Sequence, residues 1–184
     1  DRAIKYLKRA ISIKPEASEP FINMGYLSLN INKPKEALDA FLRAQSLDQK
    51  NVEAQIGKGL ALQSLEQYPK SIQVFRTIQK TKPNDPRIFY HTGNTYQKMG
   101  HLDDAIVALK KSVALNPNFF EAQNNLGHVF LDKGMYHDAS IAFKNAIKIR
   151  PKSAGAHCNL GNALSSIDTN EAINAYHTSL AIEP

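Results

Sequence analysis

The chain is 184 residues long, 42% apolar and 22% charged, with 23 basic against 17 acidic side chains and a net charge of +6. That balance excludes an intrinsically disordered chain, and no apolar run reaches the roughly 18 residues a membrane-spanning helix needs, so no membrane insertion is expected. A single cysteine, Cys158, excludes an internal disulfide and a cysteine-based zinc cage, which fits a reducing compartment or indifference to redox; a cytoplasmic location is the expectation.

Prolines set a ruler. Pro15, Pro83, Pro117, Pro151 and Pro184 recur with gaps of 68, 34, 34 and 33, and Gln49 occupies the missing slot. On this ruler Gly25, Gly59, Gly93, Gly127 and Gly161 share one column. Small residues share another, at Ala3, Ala37, Ser71, Ala105, Ala139 and Ala172. Four residues later stand the bulky Leu7, Phe41, Phe75, Leu109, Phe143 and Tyr176, and three further on the mostly small Ala10, Ala44, Ile78, Ser112, Ala146 and Ser179. Spacings of three and four are helical. Glycine costs a helix interior about 1 kcal/mol against alanine, so its recurrence in one column predicts close backbone approach.

Taken in chain order, residues 1–17 predict the second helix of a hairpin whose first half is missing, ended at Pro15. Residues 18–51, 52–85, 86–119 and 120–153 each predict two helices. Pro34 and Pro69 fall in the first turn of a second helix, where a missing N–H is harmless. In the fourth of these units EAQNNLGHVFLDKG reads as the first helix and HDASIAFKNAIKI as the second, stopped by Arg150 and Pro151. Residues 154–184 predict a last unit one residue short. Its turn, SSIDTNEA, lacks the glycine of QKMGHLDDA and LDKGMYHDA, and Asp168 with Glu171 resembles a capping box that starts the second helix instead.

These columns resemble the tetratricopeptide repeat, whose pattern is W-x2-L-G-x2-Y, then A-x3-F, then P. Leu126, Gly127, Phe130, Ala139, Phe143, Ala146 and Pro151 match best. Unit three keeps Gly93, Tyr96, Ala105 and Pro117 but has Thr92 in the leucine slot, and unit two departs most, with Lys58 in that slot and Ser71 and Ile78 in small ones. The resemblance implies an all-α, helical-hairpin solenoid coiled into a right-handed superhelix, a single segment over residues 1–184 with about five and a half repeats. An incomplete first repeat and the absence of polar capping helices suggest a piece of a longer array, joined to a further domain.

No catalytic, metal or cofactor signature emerges. IGKGLAL lacks the hydroxyl residue a phosphate-cradling loop requires, and no H-E-x-x-H, paired cysteines or G-x-S-x-G appears. His157 and Cys158 point about 100° apart on a helix and form no nucleophile pair. His91 and His128 could face one groove, but two ligands make a poor metal site. No enzyme activity is expected of this segment.

Charge is uneven: residues 1–100 carry 16 basic and 9 acidic side chains, residues 101–184 carry 7 and 8. Much of the excess, as at Lys5, Lys8, Arg9, Arg76 and Lys80, lies on second helices, which the resemblance places on the outer side. Without basic and aromatic residues interleaved for base stacking, nucleic acid is not expected as a partner.

In this family the first helices line a concave groove, read at the second, fifth, sixth, ninth, twelfth and thirteenth positions of each unit. The sixth holds Asn23, Gly57, His91, Asn125 and Asn159; the ninth holds Tyr26, Leu60, Asn94, His128 and Asn162. An asparagine amide offers donor and acceptor together, matching an extended peptide backbone whatever its side chains. Asparagine is also the commonest family residue in both columns, so a backbone-binding ladder and an inherited default both stay open. A neutral hydrogen bond contributes about 0.5–1.5 kcal/mol net, against an association cost of roughly 4–15 kcal/mol. Apolar anchors are therefore needed, and Ile22, Tyr26, Leu29, Ile56 and Leu60 are candidates unless they bury against neighbouring units. The carboxylate clamp of chaperone adaptors would fall on Tyr90, Asn94, Asn125, Gly155 and Asn159, where its cations are missing, so no Hsp70 or Hsp90 tail is expected. The expected function is a scaffold binding a protein or extended peptide on this groove, the alternative being the substrate-recruiting arm of a larger enzyme such as a glycosyltransferase or sulfotransferase.

Overall fold

The computed structural model describes residues 2–183, so Asp1 and the last member of the proline column, Pro184, lie outside the described residues. Among the described residues there are eleven α-helices and no strand. They are α1 (Arg2–Ile13), α2 (Glu19–Asn30), α3 (Pro34–Leu47), α4 (Val52–Ser64), α5 (Tyr68–Thr81), α6 (Pro86–Lys98), α7 (Leu102–Leu115), α8 (Phe120–Asp132), α9 (Tyr136–Ile149), α10 (Ala154–Leu164) and α11 (Thr169–Ile182). The chain divides into two compact units, one ending at Pro83 and the other starting at Asn84.

In the first unit each helix packs on the next, and α2 also packs on α4. Its core gathers Ile22, Ala37, Phe41, Ala44, Ala54 and Ala61. The second unit repeats the scheme from α6 to α11, with first helices α6 and α8, then α8 and α10, in direct contact. Leu109, Leu126, Val129, Phe130 and Phe143 are among the buried residues of its core. Within each unit, contacts join only helices that are consecutive or one apart in sequence, the pattern of a hairpin stack rather than a single central core.

The glycine column and the bulky column occupy the same space. A methyl group on Gly25 would stand 2.6 Å from the Phe41 ring, on Gly59 2.6 Å from Phe75, on Gly127 2.5 Å from Phe143 and on Gly161 2.5 Å from Tyr176. Gly93 meets the smaller Leu109 in the same way. The serines of the small columns are accommodated by hydrogen bonding: the Ser71 hydroxyl donates to the Gly59 carbonyl at 2.8 Å, Ser112 to Pro86 at 2.8 Å and Ser179 to Ala154 at 2.9 Å, while Ile78 is accommodated by burial.

Four hairpin turns share one device. Asn32, Glu66, Gly100 and Gly134 adopt positive φ of 57°, 59°, 75° and 72°. The amide after each donates back to a carbonyl five residues earlier, as from Lys33 to Ser28 at 2.8 Å and from Met135 to Phe130 at 2.8 Å, which ends the first helix. The shortened last unit has no such residue. There the Asp168 amide donates to Leu164 at 2.8 Å, while the Asp168 carboxylate accepts from the amides of Asn170 at 2.9 Å and Glu171 at 3.0 Å. Only half of the expected capping box forms, because the Glu171 carboxylate lies 3.3 Å from Lys144 instead.

Candidate functional site

Positions five, six, nine, twelve and thirteen of a repeat fall on one side of its first helix, since residues three and four apart are neighbours on a helical surface. In the second unit the contacts of α6 with α8 and of α8 with α10 set these sides next to one another. Their polar groups bond across the repeats. The Asn125 side chain donates from Nδ2 to Asn94 Oδ1 at 2.9 Å. Asn159 donates from Nδ2 to Asn124 Oδ1 at 3.1 Å and stands 3.1 Å from His128 Nε2. Gln97 donates to the Asp132 carboxylate at 2.8 Å, and within the last repeat Tyr176 donates its hydroxyl to Asn162 Oδ1 at 2.9 Å. Asn94, Asn125, His128 and Asn159 are half-buried and Asn162 is exposed.

These bonds orient the amides without exhausting them. In the Asn94–Asn125 pair, the Asn94 amide hydrogens and the Asn125 carbonyl keep their capacity, a donor and an acceptor side by side. His128 packs edge-on against Phe143, with ring centroids 5.3 Å apart. Burial holds its imidazole below the ordinary histidine value, an effect that the Asp132 carboxylate opposes in part. A neutral ring accepts from Asn159, whereas an imidazolium does not. His91 lies beside Tyr90, whose ring in turn meets that of Phe119 at a tilt of 47°, the centroids of each pair 5.0 Å apart.

The first unit is arranged differently. Asn23 is exposed and Leu60 half-buried. Tyr26 meets the Phe41 ring edge-on at 5.1 Å, and its hydroxyl reaches the Glu53 carbonyl at 3.4 Å, so the ring is both a wall and a packing element. Ile56 does not line a groove. It is 2% exposed, and Ile22 is 8% exposed. In the same fifth column Tyr90 and Asn124 stay half-exposed and Cys158 is exposed. The branched apolar side chains sink from that rim because burial removes their surface from water at about 25 cal/mol per Å². Gly57, in the sixth column, is also buried, and a methyl group there would stand 2.1 Å from the Phe41 ring.

The structure therefore brings Asn94, Asn125, His128, Asn159 and Asn162 onto one polar face, and adds Gln97, Asn124 and Asp132, which the choice of columns six and nine leaves out. Asn124 had a legible signal, a polar residue in a column otherwise mainly apolar in this chain. The Tyr176 hydroxyl had none, since its column indicates packing alone. Where a carboxylate clamp places cations stand Tyr90, Gly155 and Asn159. Among the described residues no three His, Cys, Asp or Glu side chains gather as a metal site, and no helix is long and apolar enough to cross a membrane.

A family model described as "Tetratricopeptide repeat" matches residues 22–86, and one described as "TPR repeat" matches residues 99–134 and 127–167. The peroxisomal targeting signal receptor of Kluyveromyces lactis is 32% identical over 96 residues, 52% of this chain and 17% of that protein. A barley protein named as a probable UDP-N-acetylglucosamine–peptide N-acetylglucosaminyltransferase, SPINDLY, is also 32% identical over 95 residues, 52% of this chain and 10% of its own length. The chain thus spans less than a fifth of either relative. Among solved structures, the anaphase-promoting-complex hetero-tetramer Cut9–Hcn1 superposes with a TM-score of 0.83 at 22% identity, covering 99% of this chain and 36% of that one.

Proposed function

The chain belongs to the tetratricopeptide repeat family, and from that premise we propose that it is a noncatalytic scaffold holding an extended segment of a partner protein. The observation that supports this reading most is the hydrogen-bonded amide row of the second unit. Asn94, Asn125, Asn124 and Asn159 are held in place by their neighbours, so fewer side-chain rotamers are lost when a main chain docks. Each bond to the ligand contributes about 0.5–1.5 kcal/mol, so apolar contacts complete the affinity. Tyr26 and Leu60 supply half-exposed apolar surface in the first unit; Ile56 does not. The clamp positions carry no cation, so recognition runs along the main chain rather than at a C-terminal carboxylate. The exposed free thiol of Cys158 suits a cytoplasmic setting.

Display of random peptides on phage, selected against the chain, tests this. The selected peptides should include binders that lose affinity when Asn125 and Asn159 are both replaced by alanine, with the helical circular dichroism unchanged. A selection in which no binder is weakened by the double variant would exclude the amide row as a binding surface. The similarity to the barley glycosyltransferase favours a second reading, in which the repeats recruit substrate for a transferase domain. Sugar transfer by the full-length protein to a peptide that this segment binds would establish it.

A further inference from the structure

The leucine slot of the repeat offers a second surface. In α8 and α10 this slot holds Leu126 and Leu160, 5% and 8% exposed, and in α6 it holds Thr92, 5% exposed. In α4 it holds Lys58, which is half-exposed. Lys58 lies two residues before Leu60, about 200° away around the helix, so it faces away from the side that carries Leu60. α4 packs on both α3 and α5, while α3 and α5 make no packing contact with each other. A furrow therefore runs between the two second helices, floored by α4. It forms two adjoining hollows of about 510 and 420 Å³, and Lys58 lines both.

The furrow has a definite chemistry. Leu42, 42% exposed, and Val74 make its apolar patch. No carboxylate lines it; its polar lining is mainly glutamine amides and two lysines. Lys58 Nζ reaches only the Gln45 side-chain oxygen, at 3.4 Å, and Lys70 Nζ only that of Gln67, at 2.9 Å. Neither cation has a charged partner among the described residues. The surroundings reinforce this: residues 1–83 carry 14 basic and 8 acidic side chains, residues 84–184 carry 9 of each, so the whole net charge of +6 resides in the first unit.

We infer that the furrow between α3 and α5 docks an acidic peptide segment of a partner protein, with a carboxylate on Lys58 and an apolar side chain against Leu42 and Val74. Glutamine amides satisfy the segment's main chain, and Lys70 takes a second carboxylate. Peptide fits the furrow better than nucleic acid, because the patch beside the cations is aliphatic and offers bases no ring to stack on. This surface is separate from the amide row of the second unit.

The test uses random peptides displayed on phage, selected on the wild-type chain and depleted on the Lys58→Leu variant. Leucine is what the same slot holds in α8 and α10, so the variant keeps its fold, which circular dichroism checks. Peptides that survive should carry Asp or Glu beside an apolar residue. Once synthesised and labelled, they should bind Lys58→Leu about tenfold more weakly or worse, the loss of a charge-assisted hydrogen bond. Lys58→Arg should restore much of the affinity, and Asn125→Ala should leave it unchanged. Survivors without acidic residues, or no survivors, would overturn the inference. So would labelled single-stranded DNA binding in a Lys58-dependent way while no peptide does.

Discussion

The His128 ring is where the amide row meets the solution. Its lowered pKa means that the folded chain binds a proton less readily than the unfolded one, so stability is full above the ordinary histidine value of 6.5 and falls as pH drops through it. The fall ends once pH passes below the folded-state value. Denaturant midpoints measured across this window should therefore drop with acidification, and His128→Asn, the residue found in the same column at Asn94 and Asn162, should flatten that dependence. An unchanged slope would show that the ring titrates as freely in the folded chain as in the unfolded one. At the same scale, Ile56 shows the limit of reading columns. Repeat register fixes the direction in which a Cβ leaves the helix, but whether a branched apolar side chain rests on the rim or beneath it depends on the neighbouring helix.

Helices and turns were more legible than contacts between side chains. Pro34 and Pro69 start α3 and α5 as their fixed φ predicts, and the glycine column faces the bulky column as close helix approach requires. Turn chemistry was only partly legible: glycine marks the left-handed position in two hairpins, yet Asn32 and Glu66 adopt the same conformation without it. The bonds from Asn159 to Asn124 and from Gln97 to Asp132 were not legible, because 35 residues separate the partners in each and only the stacking of hairpins brings them together. In the last hairpin Asp168 alone caps α11, with no left-handed residue before it. Asp168→Ala should cost about 1 kcal/mol, the usual loss for an acidic N-cap, and should raise amide hydrogen exchange at the start of α11 ahead of the other helices. Unaltered exchange there would mean that the cap carries no weight.

The two compact units each possess their own buried residues, and the second gathers Leu109, Leu126, Val129, Phe130 and Phe143 without help from the first. Residues 84–184 expressed alone should therefore remain helical and melt in one cooperative transition, a size at which a single domain folds independently. A fragment without a transition would show that this core is insufficient. Five times, a glycine and its bulky counterpart belong to the same hairpin: Gly25 with Phe41, Gly59 with Phe75, Gly93 with Leu109, Gly127 with Phe143 and Gly161 with Tyr176. Lock and key are thus inherited together. Duplication or loss of one whole period moves an intact pair, whereas gain or loss of part of a period shifts the two columns out of register and sets a Cβ against the bulky side chain, so such a gene can lengthen and shorten by complete cassettes.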